Sequence, residues 1–234
     1  METVPPDYQG EVRRDIPRDF LVDVNDYFAT AAKQAEAAIV KSHQAVEGGI
    51  PLGARRRNQG VGLFRYFITD EAFEQLVARH GGEPVSSVKI EGGDEPKSAP
   101  LYLTTARFGG TLVGFASHFE EDDLPSKNAT RKALCAQNMG LTPDLFMAPE
   151  LYRDRERFVI IMVRRDRSDI GKIASITVAI ADRLISRFVM QSNINDFLAS
   201  YGTTAVAAKP TIELKKGVGR LRGDDKGPAE TGTE

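Results

Sequence analysis

The chain has 234 residues, 41% of them hydrophobic and 27% charged, with a formal net charge of −2 and a sequence pI of about 6.0. This is the usage of an ordinary globular protein, and it excludes disorder of the whole chain. The near balance of charge excludes a global field toward nucleic acid or anionic lipid, so any such binding needs a local patch.

The single cysteine, Cys135, excludes an intrachain disulfide and a four-cysteine zinc site. No run of about 18 apolar residues occurs, so no membrane partner is expected. The opening METVPPDYQGEVRRD has no apolar run of the kind a secretory signal carries. A reducing, cytoplasmic setting is the expectation.

In chain order, residues 1–17 carry Pro5, Pro6 and Pro17 and are expected to form a flexible arm. Phe20, Val24, Tyr27, Phe28, Ala31, Ala35, Ala38 and Ile39 then recur at spacings of three and four, the mark of a helix. Asp19 or Asp23 is the expected cap, and Gly48-Gly49 closes the helix near Val46 or Glu47. GIPLGARRRNQG reads as a basic inter-helix loop. Beyond it, Leu63, Phe64, Phe67, Phe73, Leu76 and Val77 suggest one long helix or two short ones, ended by Gly81-Gly82.

From Val85 the period changes to two. Val85, Val88 and Ile90 suggest a short strand, and EGGDEPKSAP a loop. LYLTTARF and TLVGFASHF flank Gly109-Gly110 as a hairpin. A long irregular stretch over 119–153 follows, with one helical turn expected at Ala129–Ala136. Arg157–Arg165, Lys172–Ala181 and Leu184–Gln191 read as a meander of strands, and Ser192 or Asn193 as the cap of a short helix to Tyr201.

Helices first and strands after predict an α+β fold: two N-terminal helices packed on an antiparallel sheet of roughly six strands, with a short C-terminal helix. A single domain is expected over 18–214, and the glycine-, proline- and charge-rich 215–234 is expected to be a disordered tail.

Few constellations point to chemistry. His43, His80 and His118 lie on separate elements, so no metal site is expected. No nucleophile elbow, phosphate-binding glycine loop or dinucleotide fingerprint occurs, so no catalytic residue and no cofactor is assigned. Cys135 lies near Lys127, Arg131 and Lys132, which would lower its pKa if it were exposed. Glu213-Leu214-Lys215, with Asp196 upstream, matches a fragment of a metal-dependent nuclease core, a three-residue pattern that also arises by chance.

The clearest polar features are cationic. Arg55, Arg56 and Arg57 form one cluster, Lys127, Arg131 and Lys132 a second, and Arg164, Arg165 and Arg167 a third; Lys215, Lys216, Arg220 and Arg222 lie in the tail. Converging in the fold, they would hold phosphate, as an anion site or along a nucleic-acid backbone. The apolar strands FVIIMV and ITVAIA are expected to be buried on both faces or to meet another subunit. The sequence therefore suggests a non-enzymatic binding or regulatory module acting on a protein partner, a second copy or a nucleic acid. The alternative is a metal-dependent nuclease or other phosphoester-processing enzyme.

Overall fold

Strand β6 (Arg157–Arg165) is buried from Phe158 to Val163 without a break. Side chains alternate across a strand, so a strand buried at every position must be covered on both faces. The computed structural model, which describes residues 7–44, 52–90, 97–101, 103–118, 124–141 and 156–202, shows how.

The helices before the sheet are α1 (Tyr8–Asp15), α2 (Arg18–Gln44) and α3 (Ala54–Arg79). Strands β1 (Glu83–Pro84), β2 (Ser87–Ile90), β3 (Lys97–Pro100), β4 (Thr105–Phe108) and β5 (Thr111–His118) follow. Helix α4 (Ala129–Ala136) runs into a 3₁₀ turn at Gln137–Leu141. After β6 come β7 (Ile173–Ala181), β8 (Phe188–Asn193) and α5 (Ile194–Ala199). The main sheet has the order β1-β4-β5-β6-β7-β8, and β2 pairs with β3 separately.

The α+β class and the helices-first order are as the sequence predicts. The sheet, however, is mixed rather than wholly antiparallel: β5 and β6 run parallel, in register from Thr111↔Arg157 to His118↔Arg164. Parallel neighbours cannot be joined by a tight hairpin and need a crossover. The long stretch after β5 is that crossover, and it carries α4 across the sheet. Asn128 caps α4, its side chain accepting from the Arg131 amide at 2.8 Å.

On one face, Phe115 of β5 meets Phe28 of α2 and Phe73 of α3, with ring centroids 5.5 Å apart in each case. Ile161 and Val178 are its register neighbours on β6 and β7. On the other face, Phe158, Ile160 and Met162 pack with Leu134 and Cys135 of α4 and with Val88 of β2. Each large side chain buried this way contributes about 1.5–3 kcal/mol.

Several expectations are corrected. Residues 8–15 of the expected flexible arm are helical, because Asp7 accepts from the Gly10 amide at 2.8 Å and Val12 and Ile16 are buried. Tyr8 Oη donates to the Leu141 carbonyl at 2.7 Å, and Arg157 pairs with Glu11. Asp19 sits in the first turn of α2, which starts at Arg18, so neither it nor Asp23 is the cap. Lys97–Pro100, expected in a loop, pairs with β2. The hairpin at Gly109-Gly110 is as expected, Gly109 taking a positive φ of 56° that a side chain would resist. The ends expected for α2 near Val46, the tail 215–234 and the boundary at 214 lie outside the described residues.

The β6–β7 register ends at the Ile160↔Ala179 pair, short of Phe158 and Ala181. The fully buried Asn138 bridges these two residues. Its Nδ2 donates to the Phe158 and Ala181 carbonyls at 3.1 and 2.8 Å, and its Oδ1 accepts from the Phe158 amide at 2.7 Å. Buried backbone groups left without partners are expensive. Asn138→Ala should therefore lower the unfolding free energy by about 3 kcal/mol, read as a lower urea midpoint at unchanged slope. A loss below about 1 kcal/mol would mean that these groups gain other partners.

A cationic cleft as candidate functional site

Of the loop expected over GIPLGARRRNQG, Ala54–Gly60 is helix. Gly53 is the N-cap of α3, and Arg55, Arg56 and Arg57 lie in its first turns. Arginine, asparagine and glutamine here are compatible with a helix, and Gly53 provides no side chain to satisfy the leading amides. The helix is continuous through Thr69 and Asp70, so the single long helix is the correct alternative.

Its buried face runs through Val61, Arg65, Thr69, Ala72, Phe73 and Leu76. Leu63, Phe64 and Phe67, expected on that face, are exposed instead. Arg65 is the unexpected member: a charged side chain amid the core stripe, only 8% exposed.

A cleft of about 720 Å³ opens between the first half of α3 and the turn joining β6 to β7. Arg55, Asn58, Gln59 and Arg65 line it from the helix, and Arg165, Asp166 and Arg167 from the turn. Ile170 holds the turn in place by packing on the Ala35, Ile39 and Val61 cluster of α2 and α3. Gly62 lies beneath that turn: a Cβ there would be 4.0 Å from Arg165 Nη1, an ordinary van der Waals contact.

The cleft's electrostatics follow from this packing. Burial first, then the charge of Arg165, lowers the Arg65 pKa, while Glu36 acts in the opposite direction. Burial lowers that of Arg165 as well. Arginine remains protonated under all ordinary conditions, so two like charges are held together in a partly dehydrated place. Arg65 Nε has no hydrogen-bond partner among the described residues.

Asp166 does little to offset them. Its Oδ1 accepts from Ser168 Oγ at 2.7 Å, the Ser168 amide at 2.8 Å and the Asp169 amide at 3.0 Å. The Ser168 side-chain bond is the main cause of its lowered pKa. The carboxylate thus shapes the turn that carries Arg165 and Arg167.

The expected basic clusters are therefore partly united. Arg55 of the first and Arg165 and Arg167 of the third meet in the cleft, where Arg65 joins them. Arg56 and Arg57 are exposed and are not in its walls. Arg164 donates through Nε to Ser175 Oγ across the β6–β7 ladder, at 3.0 Å. Lys127, Arg131 and Lys132 belong to α4 and its approach and do not line the cleft; Arg131 bonds Ser126. Lys215, Lys216, Arg220 and Arg222 lie outside the described residues, as do Glu213 and the Glu213-Leu214-Lys215 fragment. Among the described residues, no group of three His, Cys, Asp or Glu side chains is placed to hold a metal ion. No helix among them is long and apolar enough to cross a membrane.

Neither a protein-family model, nor a curated protein, nor a solved structure matches this chain.

Cys135 is fully buried, and burial, with a contribution from Asp182, pushes its thiol up to about 12 despite nearby Arg131. A thiol held protonated is a poor nucleophile. In the native protein it should resist an aromatic disulfide reagent at pH 8 and react only in denaturant. A raised folded-state pKa stabilises fully below the unfolded value and is lost as pH rises through the folded one. The Cys135 contribution to stability should thus fall between about pH 9 and about 12. Fast labelling of the native thiol would contradict both expectations.

Proposed function

We propose that the chain is a non-enzymatic binding module that holds the phosphate backbone of a nucleic acid in the arginine cleft. The observation that supports this is Arg65: nine-tenths buried, its Nε without a partner among the described residues, and set beside Arg165. Burying a guanidinium against another is unfavourable, and Glu36 offsets Arg65 less than Arg165 opposes it, so a further anion would be favoured there. Phosphate does so well, because its oxygens match the planar fork of arginine donors. The first turn of α3 adds amides and a favourable dipole from a helix with no side-chain cap.

The reading is one of binding. Arginine donates hydrogen bonds but does not serve as a general base or nucleophile at ordinary pH. The one carboxylate in the wall, Asp166, is already bonded within its own turn. With an overall charge of −2, attraction to a polyanion has to come from local patches such as this one. The buried, free Cys135 suits action in the reducing cytoplasm.

Fluorescence anisotropy with labelled single-stranded and duplex oligonucleotides tests the proposal. Arg55→Ala/Arg167→Ala should weaken binding by about one to two orders of magnitude and lower the slope of log affinity against log salt by about two. Arg57→Ala/Lys132→Ala, outside the cleft, should change neither much. Equal effects of the two pairs, or no binding by the unaltered chain, would sink this reading and favour a protein partner.

A further inference from the structure

Helix α3 is apolar on two opposed sides. Its inner side packs on α2 and the sheet, while Leu63 and Phe67 on the outer side are 55% and 56% exposed. A surface helix normally keeps its outer face polar, and a helix that is apolar all round is normally covered all round.

The residues flanking this pair carry the argument. Arg56, Leu63, Phe67 and Glu74 are separated by seven, four and seven positions. At 3.6 residues per turn they fall within about 40° of one another, in a stripe about 27 Å long. All four are exposed. The stripe is basic at one end, apolar at its centre and acidic at the other, and it is symmetric about position 65. Leu63 and Phe67 are equally far from that position, as are Arg56 and Glu74.

We propose that this stripe is a homodimer interface in which α3 of one copy lies antiparallel to α3 of a second. A two-fold axis at position 65 sets Leu63 against the partner's Phe67, and Arg56 against the partner's Glu74. A parallel arrangement would put like charges together. Self-complementarity of this kind is what an isologous interface requires, and only a second copy is guaranteed to supply the matching stripe. One stripe is smaller than a standard interface, so the association is reversible and in the micromolar range. The cleft lies on a different flank of α3, through Arg55, Asn58, Gly62 and Arg65, so the two proposals stand or fall separately.

Sedimentation equilibrium of the full chain from about 1 µM to about 1 mM tests it. The mass should rise from 25.7 kDa toward twice that value. Phe67→Glu should weaken association at least tenfold. Arg56→Glu and Glu74→Arg should each weaken self-association, whereas the two single variants mixed together should dimerise. The double variant Arg56→Glu/Glu74→Arg should regain the dimer. Circular dichroism checks that each variant is folded. A monomer at every concentration, a dimer indifferent to Phe67→Glu, or a double variant that stays as weak as the singles would each overturn the proposal.

Discussion

The domain is organised around one constraint: β6 is apolar at consecutive positions and must exclude water from both faces. A helical layer on one side alone would leave Phe158, Ile160 and Met162 exposed. The crossover after β5 supplies the second layer, and so the β5–β6 pair is parallel. Phe115, Phe28 and Phe73 close the first face, and Leu134 and Cys135 close the second. Where the β6–β7 register ends, Asn138 replaces the missing backbone partners, so the end of the strand pair is not left unsatisfied.

The same constraint places the cleft. As β6 leaves the core it passes from Val163 to Arg165, and its turn to β7 is pinned by Ile170 against α2 and α3. Arg165 and Arg167 are thereby held over the first half of α3, where Arg65 rises from the core stripe. The charges are close because two apolar packings converge there. Both walls are thus anchored by apolar packing, which on the proposed reading would lower the ordering cost of binding an anion.

Helix α3 also shows where reading the sequence stops. Leu63, Phe67, Phe73, Leu76 and Val77 look like one apolar set, but Phe67 and Phe73 are six positions apart and lie on different sides of a helix. The true inner stripe includes Arg65 and Thr69. A signal was present: Val61, Arg65, Thr69, Ala72 and Leu76 keep strict helical spacing. A charge in that series is overlooked when only apolar residues are counted. Arg131 went the other way, for its cluster was conspicuous in sequence yet does not line the cleft.

Local physics determined much from the sequence alone. The α+β class, α2, the Gly109-Gly110 hairpin, the β6–β8 meander and the Asn193-capped α5 all rest on periodicity, turn chemistry and capping, which act over a few residues. Tertiary structure alone decided the parallel pairing of β5 with β6, the burial of Arg65 and Cys135, and the meeting of Arg55 with Arg165 and Arg167. Those depend on contacts between residues distant along the chain. Their energies come from excluding water and from the proximity of charge, and neither is set until the layers have packed.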